Sequence, residues 1–139
     1  MSFLDREMCV GVGTYLCAKK YHELAKLTPK AKAFEPLTKE WIGEKFGQRL
    51  AAGIEKENAN DILATFDPQN IVDRWEDIRN LISTIPAPET LEKLYKNCGC
   101  RYLPEHIGID PALSEEILPV SAAIRNRLTL VRMLRVLEF

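Results

Sequence analysis

Apolar residues recur at alternating spacings of three and four through almost the whole chain, and that period admits helices and little else. The clearest stripe is Ile71, Trp75, Ile78 and Ile82. A second runs through Val10, Thr14, Cys17, Tyr21 and Leu24, a third through Trp41, Ile42, Phe46, Leu50 and Ile54, and a fourth through Val120, Ile124, Leu128, Val131 and Leu134. No segment alternates apolar and polar residues as a half-buried strand would. The expectation is an all-α helical bundle of about six to seven helices.

Punctuation sets the boundaries. Thr38 reads as an N-cap for a segment from about Lys39 to Asn58, softened by Gly43, Gly47 and Gly53. Asn60 or Asp61 opens a short turn. Asp67-Pro68 and Asp110-Pro111 each place a capping side chain before a proline at the first helical position. Pro88 opens a short helix that Gly99 stops. The stretch 101–110 reads as a loop with extended character, and Pro119 is expected to break or kink the C-terminal segment into a short helix and a longer terminal one.

At 139 residues the chain has the length of one domain, 1–139, and enough surface to bury a core without a staple. Its 19 basic and 20 acidic residues are spread along it, which excludes the concentrated basic face of a nucleic-acid binder. No apolar run approaches a membrane span, and Asp5, Arg6 and Glu7 precede any apolar run, unlike a secretory signal. A cytoplasmic protein with four reduced cysteines is expected. Cys98-Gly99-Cys100 is too tight for ordinary disulfide geometry.

Few residue constellations suggest chemistry. Cys98, Cys100 and His106 lie within nine positions, yet Cys-x-Cys is poor zinc spacing and His22 is the only other histidine. The plainer reading is a helix terminus with two small thiols. A cysteine nucleophile needs a base, and nothing in the order of residues selects one. The C-terminal arginines read as a solvated face. Anion binding is the functional alternative, although Arg125 and Arg127 are two apart and do not share a helical face. The Val10-Gly11-Val12-Gly13 run lacks the third glycine and the preceding strand of a dinucleotide fingerprint. Two glycines so close in a helix each cost about 1 kcal/mol relative to alanine, so either a ligand or another helix is expected to approach there, or the stretch is not helical.

Three stretches taken together resemble a known family. "CVGVGTYLCAKKYHELA" resembles a helix in the C-terminal domain of sn-glycerol-1-phosphate dehydrogenases, of the iron-containing alcohol dehydrogenase and dehydroquinate synthase-like superfamily. "LYKNCGCRYLPEHIGID" is similar to the family's stretch ending in Pro-x-Glu-Ile-Gly-Ile, and "ILPVSAAIRNRLTLVRMLRVLEF" to its terminal Ile-Arg-Asn-Arg-x-Thr segment. The resemblance covers essentially the whole chain. It implies an oxidoreductase with a Rossmann-like half that binds NAD(P), and a helical half that holds a divalent metal such as zinc, with substrate between them. This chain would be the distal part of the helical half. Gly11, Gly13, Arg125 and Arg127 are then the candidate cleft-lining residues. The family's last metal-ligand histidine should fall at Asp5 or Arg6, and neither is histidine.

The expectation is a truncated or split dehydrogenase-like domain without catalytic, cofactor-binding or metal-ligating residues of its own. The alternative is a helical interaction module that forms homo-oligomers or pairs with a separately encoded Rossmann-like chain. Neither reading involves nucleic acid or a membrane.

Overall fold

A computed structural model describes residues 3–139, with side chains from Cys9 onward. The fold is all-α. Among the described residues eight α-helical segments account for most of it, with one ribbon of two very short strands. Contacts group the chain into two compact units. One combines the N-terminal helix with Arg74–Leu118, and the other combines Pro29–Asp73 with Pro119–Phe139.

The first unit is organised around α1 (Phe3–Ala25), against which α5 (Trp75–Ile82) and α6 (Pro88–Cys98) pack. Val12, Ala18, Leu24, Trp75, Ile82 and Tyr102 are among its buried residues. The side of α1 that packs differs from the stripe expected. Leu24 is buried, but Val10 is 67% exposed and Thr14 is exposed. The cause is tertiary: Tyr102 meets the Tyr15 ring edge-on at 5.1 Å and stacks on Tyr95 at 5.7 Å, which selects the Gly11–Tyr15 side. The end of α1 is closed by side chains from α5. Trp75 Nε1 donates to the Leu27 carbonyl at 2.8 Å, and Arg79 Nε donates to the Ala25 carbonyl at 2.7 Å. A helix C-terminus leaves such carbonyls without intrahelical partners, and a guanidinium suits their partial negative charge.

Three expected boundaries hold here. Pro88 stands at the start of α6, and Gly99 ends it in the left-handed conformation at φ 66°. Asp110 caps α7 (Pro111–Ser121) by accepting from the Ala112 amide at 2.9 Å. Pro119 does not break α7, which ends two residues later. The loop before it contains a 3-10 turn, Pro104–Ile107.

In the second unit β1 (Lys30–Ala31) pairs antiparallel with β2 (Leu137–Glu138), Ala31 opposite Leu137. Strands of two residues are too short for a period to register in sequence. Thr38 caps α2 (Lys39–Phe46), its Oγ1 accepting from the Trp41 amide. The long segment expected here divides at Gly47, whose φ of 74° no helix accommodates, and resumes as α3 (Gln48–Glu57). Ile42, Ala51, Ile54 and Ala123 form one buried cluster, with Leu37, Trp41 and Phe46 packed against it. The stripe through Ile71 and Ile82 also divides, at Arg74, into α4 (Gln69–Asp73) and α5.

The terminal helix expected from Val120 to Leu134 does not form. α7 gives way to a 3-10 turn at Ala122–Ile124, then to extended backbone at Arg125, and only α8 (Leu130–Met133) is helical beyond it. Ile124 and Leu128 are exposed. Two contacts override the helical period. Arg132 Nη1 donates to the carbonyls of Ala122 and Arg125, at 2.8 and 3.2 Å. Asn126 is held on three sides: its amide donates to Glu57, its Oδ1 accepts from the Ile62 amide, and its Nδ2 donates to the Asn60 carbonyl. Thr129 then starts α8 afresh by accepting from the Arg132 amide.

Candidate functional site

The sequence directed attention to Gly11 and Gly13, and the structure gives them different roles. A Cβ added at Gly11 would stand 2.8 Å from the Arg101 carbonyl oxygen and 3.9 Å from the Tyr95 ring. Gly11 therefore lets α1 close against another stretch of this chain's backbone. At Gly13 a Cβ would meet nothing within 4 Å. Gly13 instead lines an apolar groove of about 510 Å³ between α1 and the Ile85–Pro86 corner, along with Val10, Thr14, Cys17 and Tyr21. Burial pushes the Cys17 thiol up, which keeps it protonated and poor as a nucleophile. A separate hollow of about 290 Å³, which shares no lining residue with the groove, has mixed charge and is lined by Lys19, Lys20, Glu23, Glu105 and Glu115.

Both histidines are engaged with the backbone. His22 Nε2 donates to the Ile85 carbonyl at 3.0 Å, which fixes the corner beside the groove. His106 Nδ1 accepts from the amides of Tyr102 and Leu103, at 3.3 and 3.2 Å. Above it the Tyr102 hydroxyl donates to Glu92 at 2.8 Å, and Lys96 lies 2.9 Å from the same carboxylate. Lys96 and then Tyr102 hold the Glu92 carboxyl below its ordinary range; burial, then Glu92, raises the Tyr102 phenol.

Arg125 and Arg127 belong to the second unit and are exposed. Arg127 donates its amide to the Arg125 carbonyl at 2.9 Å, in a stretch that is not helical. The cationic centre that sequence reasoning missed is Arg132. It is 0% exposed, and Nη2 donates to Asn58 Oδ1 at 2.6 Å and Asp61 Oδ1 at 2.8 Å. Arg135 Nη1 donates to Asp61 Oδ2 at 2.6 Å, and its guanidinium lies 5.5 Å from the Phe34 ring centre. Burial alone would push the Asp61 carboxyl up. The hydrogen bonds from Arg135, Arg132 and the Leu63 amide outweigh it, and the net shift is downward. Arg132 Nε finds no acceptor among the described residues, although both its Nη atoms are engaged.

Among the described residues no three His, Cys, Asp or Glu side chains converge as a metal site, and the sheet is an antiparallel pair of two-residue strands. Asp5 and Arg6, where the family places its last metal ligand, lie outside the described side chains.

Comparison with known proteins gives a partial match. The chain is similar to the glycerol-1-phosphate dehydrogenase [NAD(P)+] of Geobacillus stearothermophilus. Identity is 36% over 63 residues, which are 45% of this chain and 16% of that enzyme. The chain thus spans about 16% of the length of the curated relative it matches. No protein family and no solved structure matches it. The similarity supports a relationship to glycerol-1-phosphate dehydrogenases and does not extend to the rest of such an enzyme.

Proposed function

We propose that this chain is a helical, cleft-bordering part of a glycerol-1-phosphate dehydrogenase-like, NAD(P)-dependent and metal-dependent oxidoreductase, and that it is not catalytic alone. The observation that carries this reading is the 36% identity over 63 residues to an enzyme of that name. Hydride transfer needs a nicotinamide held against the substrate carbon, and that positioning belongs to a cofactor-binding fold. On this reading a Rossmann-like half, in the same or a separate polypeptide, supplies it together with the metal ligands. The apolar groove along α1 is the surface that half would complete.

The test is reconstitution. The purified chain is incubated with NADH, zinc and a triose phosphate, and nicotinamide absorbance is followed. No turnover is expected from the chain alone. Turnover is expected when a nicotinamide-binding polypeptide encoded immediately upstream is added. Catalysis by the chain alone, or micromolar affinity for NADH, would contradict the proposal.

A second reading, a helical interaction module that self-associates, is favoured by Val10, 67% exposed on the rim of the groove. Sedimentation of the isolated chain separates the two. A clean monomer that is activated by the upstream polypeptide supports the first reading, and a homo-oligomer indifferent to that polypeptide supports the second.

A further inference from the structure

The Cys98-Gly99-Cys100 run plays no part in the proposed oxidoreductase role, and its geometry is specific. It closes the C-terminus of α6. The Cys100 amide donates to the Tyr95 carbonyl at 2.9 Å and the Gly99 amide to the Lys96 carbonyl at 3.2 Å, with Gly99 left-handed. This is the paired closure of a Schellman motif, and it holds the backbone between the two cysteines fixed. Their Cα atoms, two residues apart, are separated by at most about 7.6 Å. Both thiols are exposed and reduced. The Cys100 side chain folds back over the helix end, its Sγ 3.9 Å from the Cys98 carbonyl oxygen.

From this geometry we infer that Cys98 and Cys100 form a two-thiolate site for a soft monovalent metal ion, copper(I) in chemical type. The donor set decides the metal. Zinc wants four ligands, and His106, which sequence spacing offers as a third, is unavailable. Its Nδ1 accepts two backbone amides, so the proton of the neutral ring sits on Nε2 and neither nitrogen has a free lone pair. With sulfur alone, and only two sulfurs, a soft ion content with two-coordination is the match. Uptake releases both thiol protons and leaves a dithiolate complex of net charge −1; no electron is transferred. The closed helix end fixes the backbone between the two ligands, which limits the chain entropy lost on binding.

Titration with copper(I) against a chromophoric copper(I) chelator, without oxygen and in a non-thiol reductant, tests the inference. One ion per chain is expected, with thiolate-to-copper charge-transfer absorption in the ultraviolet. Cys98→Ser and Cys100→Ser should each weaken binding by about 10²–10⁴-fold, because each removes the intramolecular second ligand. Cys9→Ser should bind as the unaltered chain does. Positions 98 and 100 are exposed, so circular dichroism should show the folded protein in all variants. One ion per two chains, equal affinity in Cys98→Ser, or displacement of copper(I) by equimolar zinc would overturn the inference.

Discussion

Replacing Asp61 with alanine removes the carboxylate that two guanidinium groups share. Arg132 Nη2 lies 2.8 Å and Arg135 Nη1 2.6 Å from its two oxygens, and the Asp61 side chain is 8% exposed. After the substitution the Arg132 charge, 0% exposed, keeps only neutral acceptors: Asn58 Oδ1 and the carbonyls of Ala122 and Arg125. Stripping one partner from a buried pair costs about 3–5 kcal/mol, because the remaining charge stays out of water unpaired. Arg135 adds less, since it is partly exposed and retains the Glu35 carbonyl at 2.7 Å. For a chain of this length that cost lowers Tm by about 10–20 °C. Urea denaturation read by circular dichroism and tryptophan fluorescence gives the number. Two companions make the test sharp. Lys39→Ala, which breaks a 3.9 Å pair with Glu55 from an 82% exposed side chain, should change stability by less than about 0.5 kcal/mol. Asp61→Ala combined with Arg132→Met should recover much of the loss, because no buried charge is left. A cost below about 1 kcal/mol for Asp61→Ala would refute the reasoning, and so would a double variant no more stable than the single one.

The two glycines of α1 should respond in opposite directions. Gly11→Ala places a Cβ against the Arg101 backbone carbonyl and should destabilise by about 1–3 kcal/mol, whereas Gly13→Ala meets open space and should stabilise by about 0.5–1 kcal/mol, both measured by thermal denaturation. His106→Ala removes the acceptor for two amides at an exposed position and should cost about 0.5–1.5 kcal/mol, with faster hydrogen exchange at Tyr102 and Leu103. The folded-state pKa of Asp61 is lowered, so its contribution is fully present above the unfolded value of 3.8. It falls away as pH drops through the folded value. Acid titration of stability should show this loss in the unaltered chain and not in Asp61→Ala.

What the sequence determined by itself is whatever is settled within three or four residues. Thr38, Asp61 and Asp110 cap turns and helices through amides two or three positions ahead, and Gly99 ends a helix through its own φ. Such groups meet their partners whatever the rest of the chain does. The strain of two glycines in α1 was legible in the same way, as a place that something approaches. What approaches Gly11 is the carbonyl of Arg101, far along the chain, and no local pattern encodes that. The C-terminal segment shows the contrast most clearly. Its apolar period is that of one helix, yet Arg132 bonds carbonyls at Ala122 and Arg125 and reaches Asn58 and Asp61, more than 70 positions earlier. In sequence Arg132 is one more arginine in a basic run. Only the tertiary structure buries it, and once it is buried its guanidinium must find acceptors, even at the expense of the helix that the period favours.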